Sequence, residues 1–405
     1  MKVAVLGYGT VGSGVVEVLL TNQASIAKKA DMPIEVKYIL DIRDFKDSPL
    51  KDKFVKDMNI ILNDEEIKIV AEAMGGVEPA YSFVKEALLK GKSVVTSNKE
   101  LVAAHGPELL EVAKQNDCNF LFEASVGGGI PIIRPLNSAL TADEIYEITG
   151  ILNGTTNFIL TKMKTEGRAF EDVLQEAQAL GYAERNPEAD VEGHDACRKI
   201  AILASLALGE HVDYKDVYTQ GITKIQKEDM DYAAQLGYSI KLLGSCKNTP
   251  DGIYASVQPT MILNNHPLAT VDDVFNAVLV KGNMVGDVMF YGRGAGKLPT
   301  ASAMVADIID AAKHQSTNIM CFWSREKVAL EAYEGCKVHY FVRLKGNALT
   351  HEQVVQEAFG KVECIAPLKA DEYAFITECA PIQELEEKLS QLKDVEVISK
   401  IYIEK

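Results

Sequence analysis

Apolar residues fall along this chain in two rhythms. From the first residues to about 123, short apolar runs at 3–6, 34–40, 67–73, 93–96 and 119–123 read as strands. A helical stretch with Val15, Val16, Val18 and Leu19 follows the first run, and helical segments lie at 79–90 and 107–115. Strand and helix alternating this way predict a parallel sheet covered on both faces. After Pro131 the rhythm changes. A strand is predicted at 144–152, helices at 156–165, 170–180 and 195–208, and strands at 240–246, 253–262, 274–280 and 284–291. Strands gathered in this manner predict an α+β domain with a mixed sheet. The helix expected at 299–313 has a proline near its first turn, where no intrahelical N–H bond is lost. Residues 318–335 read as a linker with a short strand. The last stretch reads as strand 338–344, helix 350–359, strands 362–367 and 373–379, helix 381–392 and strand 395–403, the βαββαβ order of a ferredoxin-like module.

Composition narrows the classes. At 405 residues the chain is long enough for two or three domains. Its formal net charge of −16 lacks the basic footprint of a nucleic-acid binder. No apolar run approaches the ~18 residues that a membrane span needs. The first residues enter a strand pattern directly and lack the features of a signal peptide. The seven cysteines are scattered, with no Cys-x-x-Cys pair, which leads us to expect reduced thiols, a cytoplasmic location and no structural zinc.

Two stretches carry chemistry. Gly7-Tyr8-Gly9-Thr10-Val11-Gly12 follows the first strand and opens a helix, the context a dinucleotide fingerprint requires. Gly7 suits a tight turn, Gly9 admits a pyrophosphate, and Gly12 permits close packing of helix on strand. The second strand ends in Asp41-Ile42-Arg43. The acid would bind a ribose diol and select NAD, the arginine would accept a 2′-phosphate and select NADP, and both are present. NADP is the expected cofactor, with NAD the alternative. The second stretch is 180–199, where Glu184, Asp190, Asp195 and Lys199 gather around a helix start. Asp195 and Lys199 share one helix face. Ala196, Ile200 and Leu203 carry that helix into a core, so these charges need partners. Carboxylates would hold a substrate ammonium group, and a lysine would give or take the proton of a hydroxyl or carbonyl. A second lysine stands in Ser97-Asn98-Lys99 after a strand of the parallel sheet, and 123–131 carries three consecutive glycines, which leave backbone carbonyls open to a ligand or cation.

Together these motifs resemble homoserine dehydrogenase, over roughly residues 3–313. The most specific pieces are 181–199, Gly150-Ile-Leu-Asn-Gly154-Thr155-Thr156-Asn157, Ser97-Asn98-Lys99 and Gly296-Lys-Leu-Pro-Thr-Ala-Ser. The resemblance implies a Rossmann dinucleotide-binding domain (residues 1–130 plus a helix at 299–315) and an α+β catalytic and dimerisation domain (131–298). A linker (316–336) and a ferredoxin-like, ACT-like domain (337–405) complete the expected plan. It implies reversible, NAD(P)H-dependent reduction of L-aspartate 4-semialdehyde to L-homoserine, in threonine and methionine biosynthesis. Lys199, Lys99 and Asp195 would be the catalytic groups. Glu184, Asp190, Asp195, Gly154 and Thr155 would bind the substrate. Gly7, Gly9, Thr10, Val11, Gly12, Arg43, Ser97, Lys99, Glu184 and Gly296 would meet the cofactor. Glu123, Val126, Gly128 and Ile130 would hold a monovalent cation, Na⁺ being the expected one. A homodimer or homotetramer is expected because the mid-chain sheet with its apolar runs needs cover, and the terminal βαββαβ unit resembles an ACT domain, which implies an amino-acid effector there. In that domain Lys345-Gly346-Asn347-Ala348 replaces the usual acidic residue and Pro-Gly turn, so a structural or oligomerising role stands beside the regulatory one. Arg293 and Lys297 depart from the family pattern. They either touch the cofactor or line the cleft mouth.

Two rival functions have their own signatures. A semialdehyde dehydrogenase working through a thioester needs an activated cysteine, and Cys197 is the one beside the charged cluster. A nucleotide-sensing protein without turnover would not need Glu184, Asp195 and Lys199 together.

Overall fold

The computed structural model describes residues 1–346, 348–392 and 395–404. It divides into two compact units, Met1–Ile145 with Ala201–Tyr214 and Lys281–Val328, and Tyr146–Ile200 with Lys215–Val280 and Ala329–Lys405. The first unit opens with β1 (Lys2–Leu6), α1 (Thr10–Thr21), α2 (Gln23–Ala30), β2 (Glu35–Leu40), β3 (Phe54–Val55) and α3 (Met58–Leu62). It continues with β4 (Ile67–Glu72), α4 (Ala80–Leu89), β5 (Ser93–Thr96), α5 (Lys99–Gln115), β6 (Phe120–Leu121) and α6 (Ile133–Ser138). The strands form one parallel sheet ordered β3-β2-β1-β4-β5-β6. The order reverses at β1, so the crevice for a ligand lies beyond the carboxyl ends of β1 and its neighbours. Val3, Val5, Ile39, Ile69 and Val95 are completely buried, which explains why these strands read as unbroken apolar runs.

Helix α5 begins at Lys99, well before the start expected at 107. Asn98 caps it by accepting a hydrogen bond from the Leu101 amide at 3.1 Å. Pro107 lies inside the helix, so the proline signal marked an interior position and not a first turn. Helices α2 and α6 were not expected. Both are short and lack the long apolar stripe that marks a helix in sequence.

The second unit starts with β7 (Ile145–Ile151), α7 (Gly154–Glu166), α8 (Phe170–Ala179), α9 (Glu188–Val191) and α10 (His194–Leu208). Then come β8 (Tyr218–Thr219), α11 (Lys227–Gln235), β9 (Tyr238–Thr249), β10 (Gly252–Leu263) and β11 (Phe275–Gly282). The chain returns to the first unit for β12 (Gly286–Arg293) and α12 (Lys297–Lys313), whose Met304 and Ile308 join the core made by Val3, Val5, Val15 and Leu19. The final module is β13 (Lys337–Lys345), α13 (Ala348–Phe359), β14 (Glu363–Ile365), β15 (Glu372–Ile376), β16 (Ala380–Pro381), α14 (Ile382–Ser390) and β17 (Val397–Ile403). Apart from the two-residue β16, this is the expected βαββαβ order. Asn347, in the turn compared with the ACT pattern, lies outside the described residues.

The sheet of the second unit runs β11-β7-β9-β10-β17-β13-β15-β14. Parallel pairing of Thr260 with Tyr402 and Met261 with Ile403 carries the mid-chain strands directly into the terminal module. That module has its own core, built on Val342, Leu344, Val355, Phe375 and Leu385. It is also fixed to α11 by Arg343 of β13. This guanidinium is fully buried, with Nη2 donating to Gln226 Oε1 at 2.6 Å and Nη1 to Glu372 Oε1 at 3.2 Å. Its Nε lies 3.2 Å from Asp229 Oδ1 but off the hydrogen-bond axis, so that attraction is ionic.

Candidate active site

The glycine turn joins β1 to α1. A Cβ on Gly12 would stand 1.9 Å from the Gly7 carbonyl oxygen, so only glycine lets the helix lie this close to the strand. A Cβ on Gly9 would meet nothing within 4 Å. The protein's own packing therefore does not demand glycine at 9, whereas a bound pyrophosphate would. Gly9 is the N-cap of α1 and no side chain caps the helix, which leaves the first-turn amides of Thr10, Val11 and Gly12 for an anion. An uncapped start forgoes about 1 kcal/mol. Burying a single valine such as Val15 contributes roughly 1.5–3 kcal/mol, so the fold tolerates the omission.

The residues after β2 divide the two cofactor signals. The Asp41 carboxylate accepts from the Tyr8 amide at 2.8 Å and the Arg43 amide at 2.9 Å. It also accepts from Arg43 Nε at 3.0 Å and Nη2 at 2.8 Å. These bonds, led by the Arg43 side chain, hold the Asp41 carboxyl well below the usual carboxylate range. The acid is thus engaged in orienting Arg43, whose side chain is 57 % exposed.

Beyond β4 and β5, the sequence reading missed Glu72. It is completely buried, accepts hydrogen bonds from Thr96 Oγ1 and the Met74 amide, and burial pushes its carboxyl upward. Thr96 Oγ1 in turn accepts from the Asn98 amide at 2.9 Å, and Asn98 Nδ2 donates to the Gly76 carbonyl at 2.6 Å. The network ties the loop after β4 to the Ser97-Asn98-Lys99 turn. Ser97 is half-buried there, and Lys99 is half-buried as the first residue of α5. The link from Glu72 to Thr96 spans 24 residues, so no local pattern marks it.

The charged cluster assembles where β7 meets α7 and α10. Lys199 Nζ donates to Asp195 Oδ2 at 2.7 Å and to the Leu152 carbonyl at 2.8 Å. A lysine ammonium has three donors, and the third meets no acceptor among the described residues. Asn153 Nδ2 donates to Asp195 Oδ2 at 3.0 Å and to Asp190 Oδ1 at 2.7 Å. Asp195 and Lys199 are only 5 % and 8 % exposed, so the i,i+4 pair is an interior feature and not a surface ion pair. Gly154 starts α7, and a Cβ there would come within 2.8 Å of the Val274 carbonyl oxygen. Thr155 Oγ1 donates to the Tyr182 carbonyl at 2.7 Å and holds the 180–184 loop against α7. Glu184 is exposed on that loop, and its carboxylate does not join the network. Cys197 is 5 % exposed, which does not suit the accessible thiol of the thioester rival.

The Glu123 segment is tightly built. The Glu123 carboxylate accepts from the amides of Ile132 at 2.7 Å, Ile133 at 2.9 Å and Arg134 at 2.7 Å. Val126, Gly128 and Ile130 are buried, and their carbonyls accept no backbone N–H among the described residues. Below them Asp307 accepts from the Glu123 amide and from Arg134 Nη2, and burial pushes the Asp307 carboxyl up to about 8. Among the described residues no group of three or more His, Cys, Asp or Glu side chains could hold a metal ion. Any ion here would rest mainly on carbonyl oxygens, a donor set that suits a hard cation. Gly296 caps α12, and Lys297 pairs with Glu17 at 2.6 Å, both side chains being more than two-fifths exposed.

A Rossmann sheet with an open glycine turn, in one chain with a buried lysine–carboxylate cluster, defines a nicotinamide-dependent oxidoreductase. The profile described as "Homoserine dehydrogenase, NAD binding domain" matches residues 7–123, and that described as "Homoserine dehydrogenase" matches residues 131–309. The chain is 44 % identical over 324 residues to the homoserine dehydrogenase of Bacillus subtilis, covering 79 % of this chain and 74 % of that one. The crystal structure of a homoserine dehydrogenase from Thiobacillus denitrificans superposes with a TM-score of 0.92 at 35 % identity, over 100 % of this chain and 98 % of that one. A hyperthermophilic archaeal homoserine dehydrogenase in complex with NADPH superposes with a TM-score of 0.66 at 29 % identity, over 76 % of this chain and 97 % of that one. This chain belongs to the homoserine dehydrogenase family.

Proposed function

We propose that Lys199 is the proton donor in the reduction of L-aspartate 4-semialdehyde to L-homoserine. The observation that carries this is the lysine's third N–H, without an acceptor among the described residues while the other two are fixed by Asp195 and Leu152. The nicotinamide cofactor, when bound, supplies the hydride to the aldehyde carbon. Lys199 Nζ gives a proton to the aldehyde oxygen as it becomes an alkoxide, and charge stabilisation in a dry site is the main contribution to the rate. Asp190 and Asp195 hold the substrate ammonium, with Glu184 closing from its loop. Gly154 and Thr155 place the α7 N-terminus beside the substrate carboxylate. Lys99 is the second lysine of the reaction, at the cofactor side.

The remaining assignments follow the same logic. Gly7, Gly9, Thr10, Val11, Gly12, Ser97 and Gly296 line the cofactor's path. Arg43, oriented by Asp41, receives a 2′-phosphate, so NADP is preferred over NAD. The carbonyls of Val126, Gly128 and Ile130 hold a monovalent cation, Na⁺ first, on a loop that Glu123 anchors through its three amide contacts. The terminal module is ACT-like and takes an amino-acid effector. The enzyme acts as a homodimer or homotetramer in the cytoplasm. No helix among the described residues is long and apolar enough to cross a membrane.

The test is Lys199→Ala, assayed for homoserine-dependent reduction of NADP beside a titration of the cofactor. We expect kcat to fall by at least the ~10²-fold typical of a lost general acid, with cofactor affinity retained. Near-normal kcat would remove Lys199 from this role.

A further inference from the structure

We propose that Asn153 is the positioning residue of the substrate cradle, a neutral clamp that sets the distance between Asp190 and Asp195 and aligns Asp195 on Lys199. This rests on the reading of the cluster as the substrate site. Asn153 sits at the junction of β7 and α7 and is 6 % exposed. Its Oδ1 accepts from the Thr156 amide at 2.9 Å and from Thr156 Oγ1 at 3.1 Å. Its Nδ2 reaches Asp190 Oδ1 at 2.7 Å and Asp195 Oδ2 at 3.0 Å. Flipping the amide would turn its oxygen toward two carboxylates and its nitrogen toward an N–H, so the network itself fixes the orientation.

Two carboxylates brought together repel each other, and one of them would tend to take up a proton. A single NH₂ group giving one hydrogen to each offsets part of that repulsion, without adding a positive charge that would compete with a substrate ammonium. Asp195 Oδ2 is shared between Asn153 and Lys199. The neighbouring residue Leu152 offers its carbonyl to the same lysine. One two-residue turn thus orients both acids and the proton donor. A lysine or arginine at 153 would fill the cradle with charge, and an apolar residue would remove the one group that bonds to both acids at once.

The same side chain also caps α7, so the experiment must separate the two duties. Aspartate and serine are both strong N-caps. Asn153→Asp and Asn153→Ser therefore keep the acceptor for the Thr156 amide and lose the donor to the carboxylates. The first adds a charge and the second does not. With the full-length protein, kcat and KM for homoserine, the NADPH dissociation constant and Tm are measured for both variants and for Lys199→Ala. If Asn153 positions the cradle, N153S keeps its Tm and NADPH affinity while kcat/KM for homoserine falls about 10- to 100-fold, the range expected for a misplaced reacting group. N153D, which sets a buried carboxylate against Asp190 and Asp195, then loses at least as much kcat/KM together with some Tm. Wild-type kcat/KM in N153S leaves Asn153 as a helix cap and overturns the proposal. Loss of fold in both variants also overturns it. Wild-type kcat in Lys199→Ala sinks the underlying site assignment instead, whatever the Asn153 variants show.

Discussion

Lys199 and Arg343 are both interior cations set against aspartate, and their surroundings differ in one respect that separates their uses. The side chains of Arg343 and Asp229 are completely sealed. Those of Lys199 and Asp195 keep 10 % and 7 % of their surface, and the Lys199 ammonium meets two acceptors among the described residues for its three donors. Around Arg343 the fields are filled by Glu372, Gln226 and Asp229, and Ser399 gives a further hydrogen bond to Asp229 at 2.6 Å. Burial still pushes the Asp229 carboxyl upward, with Arg343 opposing it. The guanidinium charge is met by protein groups on every side and none of its surface reaches solvent, which makes the Arg343 cluster a structural joint between β13, β15, β17 and α11. The Lys199 cluster leaves part of its hydrogen bonding for a ligand. A buried charge alone does not mark an active site. A buried charge that still keeps an accessible edge, as Lys199 does, is the better mark.

The largest effect should come from breaking the sealed cluster. Arg343→Ala would strand Asp229 and Glu372 without their cation, and removing one partner of a buried pair typically costs about 3–5 kcal/mol. Chemical denaturation should show that loss, while kcat per folded molecule stays near wild type. A stable Arg343→Ala protein with lost activity would reverse the comparison. Lys199→Ala should show the opposite signature, a loss of rate of ~10²-fold with a smaller loss of stability, because Asp195 keeps its hydrogen bond from Asn153 and an accessible edge.

Arg43→Ala should be next in size. Hydrogen bonds to charged groups contribute about 1.5–3 kcal/mol, so kcat/KM for NADP relative to NAD should fall roughly tenfold or more. The same variant should alter acid stability. Asp41 has a lowered carboxyl pKa in the fold, so the stability it contributes is present above its ordinary value of ~3.9 and is lost as pH falls through the folded value. Without Arg43 that depression shrinks, and acid unfolding should begin at a higher pH. An unchanged acid limb would mean that the Arg43 bonds do not stabilise the fold. Lys297→Ala should do least. Exposed pairs such as Lys297–Glu17 contribute about 0–1 kcal/mol, and NADPH affinity should stay put. A tenfold rise in its dissociation constant would place Lys297 at the cofactor.

How much of this was legible in sequence depends on how local each signal is. The Gly7–Gly12 turn and the Asp195–Lys199 spacing are short-range, and both occur where the pattern put them. The core strands and the βαββαβ order were readable because buried apolar runs are continuous in sequence. Arg343, Glu72 and the clamp made by Asn153 were not. Arg343 meets Gln226 and Glu372 across 117 and 29 residues of chain, and Asn153 meets Asp195 across 42. No local periodicity encodes such pairings. The early start of α5 was hidden for a different reason, since Pro107 carried a helix-start signal while Asn98 supplied the actual cap.

The parallel join of β10 to β17 has a practical corollary. A chain shortened to end after α12 would keep every residue assigned to the reaction, yet it would uncover the edge of β10 at Thr260 and Met261. An open strand edge is a template for pairing with another copy. Solubility, and not catalysis, would then be the first property to suffer from trimming, and an edge-blocking lysine or proline near 260 would be the natural repair.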